Sequence, residues 1–515
     1  MNGAESLIRT AIAAGVDTCF ANPGTTEMPL VAALDAAEGM RAVLCLFEGV
    51  ATGAADGYSR MAERPALTLV HLGPGFANGI ANLHNARRAR SSIVNLIGDH
   101  ATWHAHADAP LGSDIVSLAT PVSGWVKSVR TAASAASSTA EAIAAAGHAP
   151  GQVATLIIPS DCQWDLATSE AHPIAPAALR AIAPDAVRRV GVALSQAKKP
   201  ALLLGGLALR ARGLMAAARI AAKSGCALIA ETFPSRLERG AGMPAVERLP
   251  YFPEQALEML KAYDLIVLAG AKKPVAFFGY PNLPSSLIPE GKRVEELCAP
   301  IDDSPAALEA LASEIAAPVA VSLPQTGARV DRPVGALNPA SAGAALAAVL
   351  PEGAIVMDEA ATSGGPFFPA SFNSPSHSYM SLTGGAIGQG LPCATGAAVA
   401  CPDRRVVAFQ ADGSSMYTIQ SLWTQARESL NVTTVLCNNR SYRILQVELA
   451  RAGIKEPGPK ARSLTDLGHP DLDFTNLASG MGMPAVRVNS AESLVIELER
   501  SFATPGPALI ELMLG

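Results

Sequence analysis

One pattern recurs along the 515-residue chain: a short apolar run ends in glycine or polar residues and leads into an amphipathic, helix-like stretch. The pattern occurs early, in DTCFANPGTTE and SSIVNLIGDH, and returns later in GAIVMDEAAT, RRVVAFQADGSS and VTTVLCNNRSY. Parallel strands need crossover connections, and these are nearly always right-handed. The chain is therefore predicted to be an α/β protein whose parallel sheets carry helices on both faces, with ligands at the carboxyl ends of the strands.

Two stretches rich in proline and alanine divide the chain into three blocks of ordinary domain size. They are QWDLATSEAHPIAPAALRAIAPDA and SLPQTGARVDRPVGALNP. We predict three doubly wound parallel-sheet domains, covering residues 1–164, 187–320 and 338–515.

Composition excludes several classes of partner. The formal charge of -6 and a pI near 5.9 provide no basic excess for phosphate-backbone contacts, so nucleic acid is not an expected ligand. The amino-terminal residues lack the layout of a signal peptide, and Arg210 and Arg212 interrupt the longest apolar stretch before it reaches membrane-spanning length. The eight cysteines include no CxxC pair. These features predict a cytoplasmic protein with buried free thiols and no membrane association.

The stretch FQADGSS, residues 409–415, leaves an apolar strand through Asp412. Residues 414–429 are predicted to be helical, and Val432 to Cys437 form the next predicted strand. A right-handed crossover would bring Asp412 to the same sheet edge as Asn439, which follows 27 residues later. Carboxylate, amide and carbonyl oxygens suit Mg²⁺, and donors at a helix start suit phosphate, although an ordinary surface turn is the alternative.

This stretch resembles the diphosphate and metal motif of the thiamin diphosphate-dependent enzymes, the family that includes acetolactate synthase and benzoylformate decarboxylase. The sequence differs from the motif at Ala411, where the family usually has glycine; alanine costs little there if its φ is negative. The resemblance implies metal binding by the side chains of Asp412 and Asn439 and by the Ser441 carbonyl. It also implies cofactor contacts from Gly413, Ser414 and Tyr442.

A second set of motifs in the first block resembles the same family. In LFEGVATGAADGYSRM, Glu48 matches the glutamate that bonds to the cofactor's pyrimidine ring; the alternative is a glutamate favoured at a helix start by the macrodipole. In ANPGTTE, Thr25 stands where the benzoylformate decarboxylase branch has a serine at the substrate site. His71 ends a strand where that branch has an active-site histidine, or it is a packed core residue.

Two further segments complete the expected pocket. SLTGGAIGQGLPCATGAA resembles the family segment that bends the cofactor, with Ile387 as the wedge and the Gly385 carbonyl as acceptor for the 4′-amine. A tight strand-to-helix turn is the alternative. Thr362 is a further expected contact. The loop with His100, His104 and His106 holds either proton relays, as in related decarboxylases, or solvent-exposed histidines.

The resemblance implies an enzyme that depends on thiamin diphosphate and Mg²⁺ and cleaves or forms a C–C bond on a small 2-oxo acid. A benzoylformate decarboxylase-like lyase is the leading hypothesis, and an acetolactate synthase-like carboligase, a transferase, is the alternative. The active site is expected at the subunit interface of a homodimer or homotetramer.

Two other classes stay open from the sequence. A non-catalytic cofactor-binding subunit would have the same fold, but the presence of Glu48 argues against it. A nicotinamide oxidoreductase would leave the paired asparagines unexplained. LLLGGLALRARG in the second block lacks the GxGxxG fingerprint, so FAD is not expected as a cofactor.

Overall fold

The computed structural model describes residues 1–323 and 329–514; part of the predicted second linker, residues 324–328, and residue 515 lie outside the described residues. The chain forms two compact units: Met1–Ala177 with Asp331–Phe367 and Leu382–Gly515, and Ala178–Val330 with Phe368–Ser381. Within the described ranges, none of the helices combines the length and apolar character needed to cross a membrane.

The amino-terminal part of the first unit is a six-stranded parallel sheet in the order β2-β1-β3-β4-β6-β5. Its central strands are almost wholly buried, because helices cover both faces. The strands are β1 (Thr18–Asn22), β2 (Arg41–Leu44), β3 (Ala66–His71), β4 (Ile93–Asp99), β5 (Trp125–Ser128) and β6 (Val153–Pro159). The α-helices are α1 (Gly3–Ala13), α2 (Met28–Ala36), α3 (Glu48–Ala62), α4 (Leu72–Ala89), α5 (Ile115–Ala119), α6 (Ala135–Ala146) and α7 (Ser160–Trp164).

The second unit contains a five-stranded parallel sheet in the order β10-β8-β7-β11-β12. Its strands, with β9 outside the sheet, are β7 (Pro200–Leu204), β8 (Ala227–Ala230), β9 (Leu237–Arg239), β10 (Glu247–Arg248), β11 (Leu265–Ala269) and β12 (Arg293–Cys298). The helices are α8 (Pro184–Gln196), α9 (Ala211–Ser224), α10 (Pro253–Lys261) and α11 (Ser304–Glu314).

The carboxyl-terminal region supplies the other sheet of the first unit, with the parallel strand order β17-β18-β16-β15-β13. Its strands are β13 (Ile355–Glu359), β15 (Val406–Ala411), β16 (Val432–Asn438), β17 (Ala485–Val488) and β18 (Ala508–Met513); β14 (His377–Ser381) belongs to the second unit and pairs antiparallel with β9. The helices are α12 (Pro339–Val349), α14 (Gly390–Ala400), α15 (Asp412–Ser415), α16 (Ser421–Arg427), α17 (Arg443–Arg451), α18 (Pro459–Ser463), α19 (Phe474–Gly480) and α20 (Ala491–Ala503); α13 (Phe367–Ala370), apart from its first residue, belongs to the second unit.

These sheets confirm the expected α/β class with three parallel-dominated sheets. The residue ranges of the three domains stay predictions. The predicted helix over residues 414–429 is wrong in its middle, because α15 and α16 are separated by turns. Beginning at Tyr417, backbone hydrogen bonds join residues three positions apart, not four as in an α-helix. The Thr418 hydroxyl also donates to the Gly388 carbonyl at 2.9 Å, which draws the chain away from α-helical geometry.

The two sheets of the first unit are joined by close packing of α3 against α14. A Cβ atom at Gly53 would lie 2.6 Å from Pro392 Cγ, and one at Gly57 would overlap the Cys393 carbonyl. A Cβ at Gly396 of α14 would overlap the Ala54 carbonyl. The two helix backbones therefore touch where only glycine fits.

Candidate active site

Glu48 is the first residue of α3, immediately after an extended Phe47. Its side chain is largely buried, and Asn78 Nδ2 of α4 donates to Glu48 Oε2 at 3.0 Å. A Cβ atom at Gly75 would lie 2.9 Å from Glu48 Oε1 and 3.4 Å from His71 Cβ. The structure thus brings Glu48 and His71, which are 23 residues apart, next to the same glycine.

His71 is held by a carboxylate that the sequence analysis did not single out as a site residue. Glu27 is fully buried, and its Oε2 lies 2.7 Å from His71 Nδ1 and accepts the Gly24 amide at 2.7 Å. Thr26 Oγ1 lies 2.5 Å from Glu27 Oε1 and 3.2 Å from His71 Nδ1. Because a carboxylate only accepts hydrogen bonds, His71 Nδ1 is the donor to Glu27.

Thr25 begins the single 3₁₀ turn that carries this carboxylate, and it is exposed. Its neighbour Thr26 is the half-buried threonine that contacts His71. The proposed role of Thr25 in substrate binding therefore stays a prediction. A signal for Glu27 was available in the sequence, since it is the acidic residue that closes the same ANPGTTE loop.

The histidine loop follows β4. The rings of His100 and His104 meet edge-on at 5.6 Å, and Trp103 makes a similar contact with His104. His106 is exposed. Within the described residues His100 Nε2 is buried without a hydrogen-bond partner. The structure separates the three: His100 and His104 form one cluster, and His106 faces solvent.

Asp412 and Asn439 meet at one sheet edge, as the crossover argument predicts. The backbone amide of Asn439 donates to Asp412 Oδ2 at 3.0 Å, and the Gly413 amide donates to Oδ1 at 2.8 Å. Burial raises the pKa of Asp412, and the surrounding backbone donors oppose that rise. The Ser441 amide donates to Asn439 Oδ1 at 3.0 Å, so the three predicted metal ligands lie in one hydrogen-bonded loop pair.

The side chains of the two adjacent asparagines have different hydrogen-bond partners. Asn438 is buried, and its Nδ2 donates to Glu511 Oε1 at 2.7 Å, so its side chain is engaged within the sheet. Asn439 is half-buried and presents its amide oxygen on the loop. Ala411 has φ -95° and ψ 153°, which confirms that alanine is accommodated there without strain.

The glycine at 413 leaves room for an aromatic ring. A Cβ atom there would overlap the ring of Tyr442 and would lie 3.2 Å from Leu467 Cδ1. Tyr442 is half-buried, and burial raises the pKa of its hydroxyl. The ring of Tyr442 therefore packs against Gly413, next to Asp412 and Ser414 in the chain.

The segment that carries Gly385 and Ile387 is fastened to α4. Asn85 Nδ2 donates to the Ala386 carbonyl at 2.7 Å, and the Ala386 amide donates back to Asn85 Oδ1 at 3.2 Å. Gly385 has φ +80°, a conformation that glycine adopts without cost, and Ile387 is half-buried. Among the described residues, no hydrogen bond uses the Gly385 carbonyl, so it is available as an acceptor.

Thr362 lies half-buried in the loop after β13. Three residues earlier, Glu359 ends that strand as a buried carboxylate that accepts hydrogen bonds from the start of α14. Sequence reasoning missed Glu359, although its place at the carboxyl end of a parallel strand is the signal that identified Asp412.

The donor set fits a diphosphate bridged to Mg²⁺. In the described ranges no group of three His, Cys, Asp or Glu side chains could hold a metal. The proposed ligand set instead has one carboxylate, Asp412, together with the Asn439 amide oxygen and the Ser441 carbonyl oxygen. Such a set leaves positions for phosphate oxygens and water, which is typical of Mg²⁺ sites.

Two family models match the chain. Residues 1–118 match the thiamine pyrophosphate enzyme N-terminal TPP binding domain, and residues 366–512 match the thiamine pyrophosphate enzyme C-terminal TPP binding domain. The matched segments contain Glu48 and His71 in the first case and Asp412 and Asn439 in the second.

Relatives and solved structures agree with these matches. A Mycobacterium tuberculosis strain H37Rv protein named "Putative acetolactate synthase large subunit IlvX" is 51% identical over 515 residues, covering 100% of this chain and 99% of the relative. Benzoylformate decarboxylase of Pseudomonas aeruginosa is 30% identical over 531 residues, covering 97% and 96%. The thiamine diphosphate-dependent 4-hydroxybenzoylformate decarboxylase of Rhodococcus jostii RHA1 superposes with a TM-score of 0.87 at 26% identity, covering 100% and 99%. The chain therefore belongs to the thiamine pyrophosphate enzyme family, among its acetolactate synthase and benzoylformate decarboxylase-like members.

Proposed function

We propose that this chain is a thiamin diphosphate- and Mg²⁺-dependent lyase that decarboxylates a 2-oxo acid in the manner of a benzoylformate decarboxylase. The observation that carries the proposal is that Glu48 and His71 both lie next to Gly75, and that His71 Nδ1 is 2.7 Å from the buried Glu27 carboxylate. A decarboxylase must deliver a proton to the carbon that loses CO₂, and a histidine held in one orientation can take up such a proton and pass it on.

In this proposal the carboxyl-terminal sheet of the first unit holds the cofactor. Asp412, Asn439 and the Ser441 carbonyl would hold Mg²⁺, and Gly413 and Ser414 would lie beside the diphosphate. Ile387 would pack against the cofactor, the Gly385 carbonyl would accept from its amine, and Thr362 and Tyr442 would be further contacts. When bound, thiamin diphosphate supplies a nucleophilic carbon and an acceptor for the electron pair released with CO₂.

The amino-terminal sheet supplies the proton-handling groups. Glu48, at the buried start of α3, would hydrogen-bond to the pyrimidine ring of the cofactor. His71 would exchange a proton with the reacting carbon, and Thr25 would contact the substrate. In the family, the residues that correspond to Glu48 and Asp412 come from different subunits, so we expect a homodimer or homotetramer. We also expect the protein to be cytoplasmic.

A carboligase is the second candidate, because the relative with 51% identity carries an acetolactate synthase name. In that reaction the decarboxylated fragment is transferred to a second oxo acid instead of receiving a proton. The two candidates share the cofactor site and differ in what happens after CO₂ leaves. We expect no FAD in either case.

The test incubates purified protein, thiamin diphosphate and Mg²⁺ with pyruvate, benzoylformate, phosphonopyruvate or oxalyl-CoA. CO₂ release with an aldehyde product supports the decarboxylase, whereas an acetohydroxy acid supports the carboligase. A non-catalytic subunit would bind thiamin diphosphate without turnover, and NADH binding in its place would favour an oxidoreductase. A flavin absorption spectrum in the purified protein would contradict the expectation about FAD.

A further inference from the structure

Glu359 is a buried carboxylate surrounded by donors. It ends β13 with 3% of its surface exposed. Its Oε1 accepts the amides of Gly388 at 2.8 Å and Gln389 at 3.2 Å. Its Oε2 accepts the amide of Gly390 at 2.6 Å and Gln410 Nε2 at 2.9 Å. Within the described residues no lysine, arginine or histidine pairs with it. A buried charge that only neutral donors compensate is costly, so this one calls for an explanation.

The contacts of Glu359 reach the two cofactor-binding segments of the carboxyl-terminal sheet. Gly388 directly follows the wedge residue Ile387, and its amide is bonded to Glu359. Gln410 Nε2, which carries two hydrogens, also donates to Ser414 Oγ at 2.7 Å. Ser414 belongs to the diphosphate loop. One carboxylate therefore links the loop that shapes the cofactor to the loop that binds its phosphates.

The donor pattern requires an ionised carboxylate. Burial raises the pKa of Glu359, and the hydrogen bonds from Gln410, Gly390, Gly388 and Gln389 oppose that rise. Three of the four donors are backbone amides, which cannot accept, so the arrangement favours the ionised carboxylate over its protonated form. An amide in place of the carboxylate would meet the same conflict, because its NH₂ group would point at two N–H groups. Glutamine therefore preserves the shape of this side chain and removes its function.

We propose that Glu359 is a positioning residue that holds the Ile387 loop and Ser414 in the arrangement that binds thiamin diphosphate and Mg²⁺. This inference rests on the proposed function. Glu359 does not itself contact the reacting atoms. It fixes the backbone at Gly388–Gly390 directly and orients Ser414 through Gln410, so that both loops are set before the cofactor arrives.

The experiment compares three variants of the full-length protein. Glu359→Gln breaks the donor pattern, and Gln410→Met removes only the link to Ser414. Thr433→Val is the matched control: it removes a buried hydrogen bond from the same sheet, between Thr433 Oγ1 and Ser501 Oγ at 2.7 Å, without touching either loop. Two quantities are measured: hydrogen exchange of the peptide covering residues 386–392 without cofactor, and the Kd for thiamin diphosphate at saturating Mg²⁺.

We expect exchange in Glu359→Gln to be about tenfold faster over this peptide than in the wild type, because local opening becomes easier. We expect its Kd to rise by about 10–100-fold, the range typical of supporting residues behind a binding site. In Gln410→Met the Kd should rise while exchange stays near the wild-type rate, and Thr433→Val should change neither quantity.

Each of the other outcomes contradicts either the positioning role of Glu359 or the proposed function of the protein. Unchanged exchange in Glu359→Gln would overturn the positioning role while leaving the proposed function intact. Faster exchange with an unchanged Kd would reduce Glu359 to a purely structural residue and would also overturn the inference. If Glu359→Gln does not fold, Gln410→Met decides, and an unchanged Kd there refutes the link. A wild-type protein that binds no thiamin diphosphate refutes the proposed function itself.

Discussion

Replacing Glu27 with glutamine tests the claim that a buried carboxylate controls His71. The carboxylate lies 2.7 Å from His71 Nδ1 and stabilises the ring whenever it gains positive charge during proton transfer. A hydrogen bond to a charged group contributes about 1.5–3 kcal/mol, against about 0.5–1.5 kcal/mol for a neutral pair. Glu27→Gln therefore removes about 1–2 kcal/mol of this stabilisation, and we expect kcat to fall by about 5–30-fold with little change in KM.

The assay measures CO₂ release at saturating thiamin diphosphate and Mg²⁺, together with the ¹⁵N chemical shifts of the His71 ring. The wild type should show the Nδ1–H tautomer, and Glu27→Gln should show a mixture, because an amide can donate as well as accept. Glu5→Gln is the matched control. Glu5 accepts the backbone amide of Asn2 at 3.1 Å in a capping box, just as Glu27 accepts that of Gly24, but it has no histidine partner.

Wild-type kcat in Glu27→Gln, with an unchanged His71 tautomer, would refute the reasoning. Equal decreases of kcat in Glu27→Gln and Glu5→Gln would show that turnover depends on the capping hydrogen bond and not on the contact with His71. Thermal unfolding of both variants separates a loss of folded protein from a loss of turnover.

Three further predictions concern the other site residues. Asp412→Ala should abolish Mg²⁺-dependent retention of thiamin diphosphate and leave the circular dichroism spectrum intact; retention that survives both this change and EDTA would contradict the metal assignment. Glu48→Gln should still bind cofactor but exchange its C2 proton about 10²–10⁴-fold more slowly by NMR, the usual range for losing an acid–base group, and a wild-type exchange rate would remove Glu48 from the mechanism. His71→Ala should lower kcat by about 10²-fold or more while the Kd for cofactor stays within about twofold; full activity would favour a packing role.

The features that the sequence predicts best are the positions of residues at the carboxyl ends of strands. Asp412 and Asn439 could be placed together because a right-handed crossover returns the chain to the same edge of the sheet. The condition set for Ala411, a negative φ, is met by its extended conformation before α15. These features depend on local sequence and on one topological rule, and both are visible in a single chain.

Other features depend on contacts between distant segments and could not be predicted. The helix expected over 414–429 breaks because Thr418 bonds to Gly388, a residue 30 positions away. Glu27 reaches His71 only because Gly98 leaves the space that its carboxylate occupies. Glu359 has four donors only when β13, α14 and β15 are assembled. In each case the sequence shows the residue but not its neighbour.

The glycine contacts between α3 and α14 limit how this enzyme could be recombined with its relatives. Gly57 lies against the Cys393 backbone, and Gly396 lies against Ala54. A chimaera that takes one sheet from another family member inherits only half of this surface, and a single methyl group at residue 57 or 396 would force the helices apart. Parental crossovers are therefore best placed so that residues 48–62 and 390–400 come from the same donor sequence.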